Sequence, residues 1–315
     1  MSLSALERAI SSLGVPSGKL GNVVFLPGIL GSDLGDANNQ ELWIFPPNLK
    51  ALFLASDGVS EADSTRAVHP LTPNFPHAAL LHVLELSWNV LPFAYDWRKN
   101  IMDTARQLHA AIVARFGDQP FHIVAHSMGG LVARVLRAMF RGIQRGGKFV
   151  MLATPNHGSF LAVKALTLDT AAMALLHLYG VNAPADIAMA AARTWPGAYQ
   201  LLPCPIVDTT IQPFYSNPPA ELSRSHIAAA AQFHAFLHSN SDTANTIYIG
   251  GSHIPTLDGF TSITTEGDGV VSSRLGFLAG ASIFTVLGGH VDLLSNPAIL
   301  VSITQLLHTG ESGIL

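Results

Sequence analysis

The segment from residue 122 to residue 140 constrains the fold more than any other part of the chain. It begins with His-Ile-Val-Ala at 122–125, which suit a buried strand, and then reaches a polar serine, Ser127. Two glycines follow and open a run with apolar side chains at helical spacing. These apolar residues are Leu131, Val132, Val135, Leu136, Met139 and Phe140. Because one apolar stripe lets a helix lie on a sheet, the segment predicts a strand, a tight turn and a helix in succession.

Similar signals recur along the chain and predict a layered α/β fold. Short runs rich in β-branched or aromatic residues, bounded by Gly, Pro, Asn or Asp, are typical of strands. They occur at residues 23–26, 87–93, 120–125, 149–153, 246–249 and 282–287. Residues 101–116 have helical spacing and end before Gly117. Strands that alternate with helices favour a mostly parallel sheet flanked by helices, with ligand sites beyond the carboxyl ends of the strands.

Residues 160–241 differ in composition from the rest of the chain. Alanine-rich helical runs at 171–178, 187–193 and 227–237 are separated by prolines. We interpret this part as a helical cap inserted into a core of residues 1–159 and 242–315. The alternative is that its helices merely extend the core. The apolar residues expected to overhang Ser127 are Leu161, Met173, Leu175, Leu176, Ile187, Met189, Trp195, Phe233 and Phe236.

Composition and charge exclude several classes of partner. The formal net charge is -4 and only 12% of the residues are charged, with the basic ones scattered, so a nucleic-acid footprint is absent. Glu7 and Arg8 precede any apolar run that could form a signal-peptide core, which predicts a cytoplasmic protein. The apolar stretch 275–291 is interrupted and falls short of about 20 residues, the length that crosses a bilayer.

Cysteine and histidine usage predicts a protein without a metal or another cofactor. The single cysteine, Cys204, excludes an internal disulfide and is expected to be a small buried apolar residue. None of the 14 histidines lies in an H-E-x-x-H or Cys/His ligand spacing. We therefore expect neither a metal site nor a cofactor site.

The turn at Ser127 has the pattern of a nucleophile elbow, G-x-S-x-G, with Ala125 in place of the first glycine. The start of the following helix directs free N–H groups toward the place where negative charge develops on a reacting carbonyl. The N–H of Met128 would be one such oxyanion donor. A second donor is expected after an early strand, where Pro27-Gly28 turns the chain and the N–H of Ile29 would face the serine.

A nucleophilic serine needs a histidine that takes its proton and a carboxylate that orients the histidine. In this fold the acid and then the base follow the serine, each on a loop after a late strand. His290, in VLGGHVDLL, has the placement of the base. We expect His308, in the terminal helix, to face solvent or core, and His126 to point elsewhere on the turn as a structural residue.

Asp268, in TEGDGVV, is the predicted acid because it follows the strand predicted at 246–249 and precedes His290 by 22 residues. Asp258, in TLDGF, is the alternative, although the aspartate of an Asp-Gly pair often caps its own turn. Asp292 lies too close to His290 in sequence to turn back on it easily.

Eight short motifs resemble the lecithin:cholesterol acyltransferase-like branch of the α/β-hydrolases, which includes phospholipid acyltransferases and lysosomal phospholipases. They are PGILGSDL at 27–34, ELW at 41–43, YDWR at 95–98, AHSMGG at 125–130, ATPNHGS at 153–159, AYQLLP at 198–203, GDGVV at 267–271 and GGH at 288–290. They follow the order of that branch over most of the chain. AHSMGG and GDG recur in many hydrolases, whereas YDWR and AYQLLP together with PGILGS are more specific.

The resemblance implies an α/β-hydrolase fold with a triad of Ser127, Asp268 and His290 and oxyanion donors at Ile29 and Met128. It also implies that the YDWR residues Asp96 and Arg98 are structural. We expect neither the signal peptide nor the disulfide-pinned lid of the secreted members here, and the sequence is shorter than theirs, so the resemblance implies shared chemistry, that of an acyl-serine intermediate.

These residues predict a serine carboxylic-ester hydrolase that acts on apolar or bulky esters. An acyltransferase would use the same steps, with an alcohol in place of water. A lactone, including a macrocyclic one, would also be opened by them. A non-catalytic binding protein of this fold is the remaining alternative, and it is disfavoured because such proteins usually lack a triad member.

Overall fold

The computed structural model describes residues 18–43, 47–168, 176–177, 181–182 and 184–311. The start of the chain, with Glu7 and Arg8, lies outside this range, and so does most of the helix predicted at 171–178, with Met173 and Leu175. The strands are β1 Asn22–Leu26, β2 Ser32–Gly35, β3 Glu41–Trp43, β4 His69–Pro73, β5 Asn89–Pro92, β6 Phe121–His126, β7 Phe149–Leu152, β8 Thr246–Ser252, β9 Thr256–Leu257, β10 Ile263–Thr264 and β11 Ser282–Leu287.

The α-helices, numbered along the described residues, lie mostly between these strands. They are α1 Ala78–Ser87, α2 Ile101–Phe116, α3 Met128–Met139, α4 Phe160–Thr167, α5 Ala185–Ala192, α6 Pro196–Tyr199, α7 Gln212–Ser216, α8 Arg224–Ser239, α9 Ser273–Gly276 and α10 Pro297–Thr309. Within the described residues, no helix combines the length and the apolar character that a membrane crossing requires.

Six strands form one parallel sheet in the order β11-β8-β7-β6-β1-β5. Each corresponds to one of the six predicted runs, which confirms the predicted mostly parallel sheet. The run predicted at 87–93 begins two residues too early, because Ser87 is the last residue of α1 and the N–H of Trp88 still donates to Leu84 O. This helix was not predicted from the sequence. Its buried apolar side chains include Leu80, Val83 and Leu84.

Alternate residues of the strands build two apolar layers on opposite faces of the sheet. Val24 and Leu26 of β1 belong to one layer, together with the apolar faces of α2 and α3. Val23 and Phe25 belong to the other layer, together with α1 and α10. The sheet is therefore covered on both faces, as a parallel sheet requires.

Helices α4–α8 follow β7 and precede β8, in the part interpreted as an inserted cap. The predicted helices at 187–193 and 227–237 correspond to α5 and α8. Phe160, Trp195 and Phe233 of this part join the same apolar cluster as α2 and α3. These helices thus lie on the α2/α3 side of the sheet.

Candidate active site

Ser127 lies at the tip of a sharp turn between β6 and α3. Its φ of 51° and ψ of -126° are unusual for a residue with a side chain, and its N–H donates to Leu152 O at 2.8 Å. The turn has no room for larger neighbours. A Cβ at Gly129 would lie 2.5 Å from Pro27 O, and one at Gly130 would lie 1.9 Å from Thr154 Oγ1. The glycines are therefore needed to bring the helix close to β1 and β7.

The serine hydroxyl begins a continuous line of hydrogen bonds. Ser127 Oγ lies 2.8 Å from His290 Nε2, and His290 Nδ1 lies 2.8 Å from Asp268 Oδ2. Asp268 Oδ1 accepts from the N–H groups of Val270 and Val271 at 2.9 and 2.7 Å. Because the acid is held by its own loop, it can fix the orientation of the imidazole.

The three side chains come from three separate parts of the sheet edge. Ser127 follows β6, Asp268 lies in the loop beyond β8–β10, and His290 follows β11. All three are buried, with 4%, 3% and 4% of their surface exposed. The structure thus brings together the serine, acid and base that the sequence predicts.

The other acids and histidines considered in the sequence lie in different environments. Asp258 accepts from Ser272 Oγ and pairs with Arg274 at 3.0 Å, so it ties two loops together. Asp292 accepts from Gly289 N at 3.0 Å and shapes the loop that carries the base. His308 is exposed on α10, while His126 is buried next to the triad.

The turn from Gly28 to Gly31 faces the serine. A Cβ at Gly28 would lie 2.8 Å from Ser127 Cβ, so only glycine fits there. Leu30 has a φ of 63°, and its carbonyl accepts from Trp43 Nε1 at 2.9 Å and Asn74 Nδ2 at 2.7 Å.

Ile29, the predicted second oxyanion donor, lies inside this turn. The carbonyl of Pro27, two residues before Ile29, accepts a hydrogen bond from Tyr95 Oη at 2.8 Å. Met128 is the first residue of α3, and the first N–H groups of a helix have no acceptor within it. Ile29 and Met128, the two predicted donors, thus lie in segments that adjoin Ser127. Sequence reasoning missed Trp43 and Asn74 as supports of the turn, because nothing local marks a side chain that bonds a carbonyl 13 or 44 residues away.

An apolar pocket, partly open to solvent, leads to Ser127 and His290. Ser159, another polar residue of its wall, donates to Val270 O and accepts from Leu161 N, so its hydroxyl is already engaged. The remaining lining residues are Ile29, Leu30, Leu49, Pro155, Leu161, Ala162, Ala165, Leu166, Leu176, Ala188, Ala192, Trp195, Ala198, Leu201 and Val270.

The pocket only partly matches the apolar residues predicted to overhang the serine. Leu161, Leu176 and Trp195 line it, whereas Ile187, Met189, Phe233 and Phe236 do not. Phe233 is a member of the core cluster, and the other three pack against it. Four alanines of α4 and α5 line the pocket in their place, and sequence reasoning missed them because an alanine in a helix carries no positional signal.

Asp96 and Arg98 lie beside the site in a buried ion-pair network. Arg98 is fully buried and pairs with Asp96 at 2.7 Å and Glu61 at 2.8 Å. Its carbonyl accepts from Gly197 N at 3.0 Å. The network thus joins three distant segments, in keeping with the structural role expected of these residues. Cys204 is buried and unpaired, and the described part of the chain contains no cluster of three or more His, Cys, Asp or Glu that could hold a metal ion.

The sequence matches the model of the alpha/beta hydrolase family over residues 23–303. No curated protein matches the chain. Among solved structures, a chain of the Tle4-Tli4 complex has a TM-score of 0.61 and 14% identity, covering 93% of this chain and 100% of that one. The mature Bacillus licheniformis lipase BlEst2 has a TM-score of 0.45 and 16% identity, with 93% of each chain covered. The meta-cleavage product hydrolase CumD of Pseudomonas fluorescens has a TM-score of 0.46 and 14% identity, covering 93% and 92%. At such identities the likeness concerns the fold alone.

Proposed function

The chain belongs to the alpha/beta hydrolase family, and from this premise we propose that it is a serine carboxylic-ester hydrolase acting on esters of apolar acyl groups. The observation that carries the proposal is the hydrogen-bonded line from Ser127 through His290 to Asp268, at 2.8 Å for each bond. A buried serine at a strained turn, with a base and a fixed carboxylate in line, is the arrangement that activates a hydroxyl for attack.

The reaction proceeds in two halves. Ser127 Oγ attacks the ester carbonyl while His290 Nε2 takes the hydroxyl proton, and the carboxylate of Asp268 stabilises the imidazolium. The N–H groups of Ile29 and Met128 bind the oxyanion of the tetrahedral intermediate. His290 then gives its proton to the leaving alcohol, which leaves an acyl-serine. Water, deprotonated by His290, attacks this ester, and the acid departs as Ser127 regains its proton.

The pocket supports an apolar acyl group as the part of the substrate that is recognised. Apart from Ser127, Ser159 and His290 its lining is apolar, and the hydroxyl of Ser159 is engaged. A charged headgroup placed there would lose its hydration without gaining partners. Each CH₂ buried in such a pocket contributes about 0.8 kcal/mol, roughly a fourfold gain in binding.

We also propose that the protein belongs to the lecithin:cholesterol acyltransferase-like branch, which makes acyl transfer to an alcohol the second candidate reaction. The motifs behind this resemblance contact one another around the site. Tyr95 of YDWR donates a hydrogen bond to the carbonyl of Pro27 in PGILGSDL, and Trp43 of ELW donates one to the carbonyl of Leu30. The N–H of Ser159 in ATPNHGS donates to Leu201 of AYQLLP at 2.9 Å.

Labelling with a fluorophosphonate probe tests the proposed function. The wild type should be labelled and should hydrolyse p-nitrophenyl esters, and Ser127→Ala should remain folded but lose labelling and nearly all turnover. Ser87→Ala, a buried serine at the end of α1, is the matched control and should behave like the wild type. Persistent labelling of Ser127→Ala would contradict the assignment. Product analysis with and without an added alcohol separates hydrolysis from acyl transfer.

A further inference from the structure

His126, the residue before the proposed nucleophile, is fully buried and touches the proposed base. Its ring centre lies 4.9 Å from that of His290. Its Nε2 lies 3.1 Å from the main-chain oxygen of His290. The main-chain N–H of His290 donates to Asp268 O at 2.9 Å. Both main-chain polar groups of the base are therefore held by hydrogen bonds, one of them from a side chain.

This contact fixes the tautomer of His126. A carbonyl oxygen can only accept, so Nε2 carries the proton and Nδ1 carries a lone pair. Nδ1 is buried, and in the described part of the chain it has no hydrogen-bond partner. Burial, together with His290 and His77, lowers the pKa of His126 well below its usual value of 6.5. His126 therefore stays neutral while the imidazole of His290 gains and loses its proton.

The other side of His126 lies against the turn that carries Ile29. A Cβ at Gly28 would lie 3.2 Å from His126 Nδ1, so the turn packs directly on the ring. The ring of His77 lies 5.5 Å from that of His126 and receives support from Asn74, whose Oδ1 is 3.1 Å from His77 Nδ1. His126 is thus joined to Ser127 through the main chain and hydrogen-bonded to the main chain of His290. It also packs against the turn that carries Ile29.

We propose that His126 is a positioning residue, whose Nε2–H holds the main chain of His290 so that the base stays between Ser127 and Asp268. This inference rests on the proposed function of the triad. Loss of the donor would leave the buried carbonyl of His290 without its partner, and the loop would shift to satisfy it. A displacement of about 1 Å in a reacting group can cost about a hundredfold in rate.

The test compares His126→Phe, which keeps a ring but lacks the donor, with His126→Gln, which keeps an N–H at similar reach. We expect kcat for a p-nitrophenyl ester to fall roughly ten- to a hundredfold in the Phe variant, with KM changed by less than about twofold, because the pocket is untouched. The Gln variant should recover most of the loss. Rates are expressed per serine titrated with the fluorophosphonate probe, so a partly unfolded preparation does not distort them.

His122→Phe is the matched control, since His122 lies on the same strand and packs on Trp88, away from the triad. It should lower the melting temperature without changing kcat per titrated site. Wild-type kcat in His126→Phe would overturn the positioning role alone, and so would failure of the Gln variant to recover activity. If the wild type were itself neither labelled nor active, the proposed function would fall as well.

Discussion

At the scale of single residues, two strained backbone conformations lie at the proposed active site. Ser127 and Leu30 both have a positive φ, 51° and 63°, and such a conformation costs about 1–3 kcal/mol for a residue with a side chain. Hydrogen bonds hold each of them in place: Ser127 N donates to β7, and Leu30 O accepts from two side chains. The strain is retained where Ser127 and the turn from Gly28 to Gly31 lie against each other.

Exchange of the acid tests which carboxylate serves the base. Asp268→Asn should lower kcat by on the order of 10⁴-fold, because an amide no longer holds the imidazole in the tautomer that accepts the serine proton. Asp258→Asn should change kcat by less than about twofold, since an amide oxygen can still accept from Ser272 Oγ and only the partly exposed pair with Arg274 is weakened. Steady-state kinetics of both variants decides this, and the reverse result would make Asp258 the acid.

The three residues of the proposed triad could be predicted from the sequence, whereas most of their supports could not. Ser127, Asp268 and His290 follow predicted strands in a fixed chain order, and this order identified the serine and the base, while Asp258 stayed open as the alternative acid. Asn74, Trp43 and the role of His126 depend on bonds from a side chain to a distant carbonyl; the bond from His126 to His290 spans 164 residues. Such contacts leave no periodicity and no local motif, so only the folded chain reveals them.

At the scale of elements, the four inner strands of the sheet and helices α2 and α3 were predictable because burial gives continuous apolar runs and clear stripes. The edge strands β5 and β11 are partly exposed and were predictable from their β-branched or aromatic residues. The three-stranded antiparallel sheet β3-β2-β4 was not predicted. Its strands have three to five residues, too few for a pattern, and β2 contains a glycine and an aspartate. Tertiary pairing, rather than local preference, forms this sheet.

Helices α4 and α5 present alanines to the pocket, and their size should set the acyl length that fits. For the wild type we expect kcat/KM to rise from acetate to octanoate esters, by up to about fourfold per CH₂. Ala165→Leu should lower kcat/KM for octanoate by about tenfold or more and leave acetate nearly unchanged, because the added side chain fills space that a long chain needs.

Kinetics with acetate, butyrate and octanoate esters measure this selectivity. Ala190→Leu, on α5 but not in the lining of the pocket, is the control and should keep the wild-type profile. A steady fall in kcat/KM from acetate upward in the wild type would mean that the helices close the pocket rather than line it.

At the scale of the whole molecule, Asp33 is one of the groups that make stability depend on pH. Asp33, on β2, is half-buried beside Glu41, and burial followed by the charge of Glu41 raises the pKa of Asp33 from 3.8 to about 6. The folded protein therefore holds this proton more tightly than the unfolded chain does between about pH 4 and pH 6. The contribution of Asp33 to the free energy of unfolding falls as pH rises through this range, and its full cost is present above pH 6.

Asp33→Asn should remove this cost. Above pH 6 the variant should be more stable than the wild type by about 1 kcal/mol, a value reduced by the partial exposure of the group, and its melting temperature should rise by about 2 °C. Near pH 4 the two proteins should melt together. Thermal melts at several pH values, with the exposed Asp118→Asn as the control, measure the difference. A destabilisation of equal size at every pH would show that the carboxylate is needed for another reason.

His290 follows the outermost strand of the sheet, and this position should make the proposed active site sensitive to heat. β11 is the terminal strand and pairs with β8, and Ile283 and Leu287 on it are 42% and 70% exposed. An edge strand with so few buried side chains is among the first parts of a domain to open by partial unfolding. Turnover should therefore cease several degrees below the calorimetric transition and return on cooling. Coincident curves of activity and heat absorption would argue against such local opening. The midpoint temperature for loss of activity would then be lower than the melting temperature of the fold.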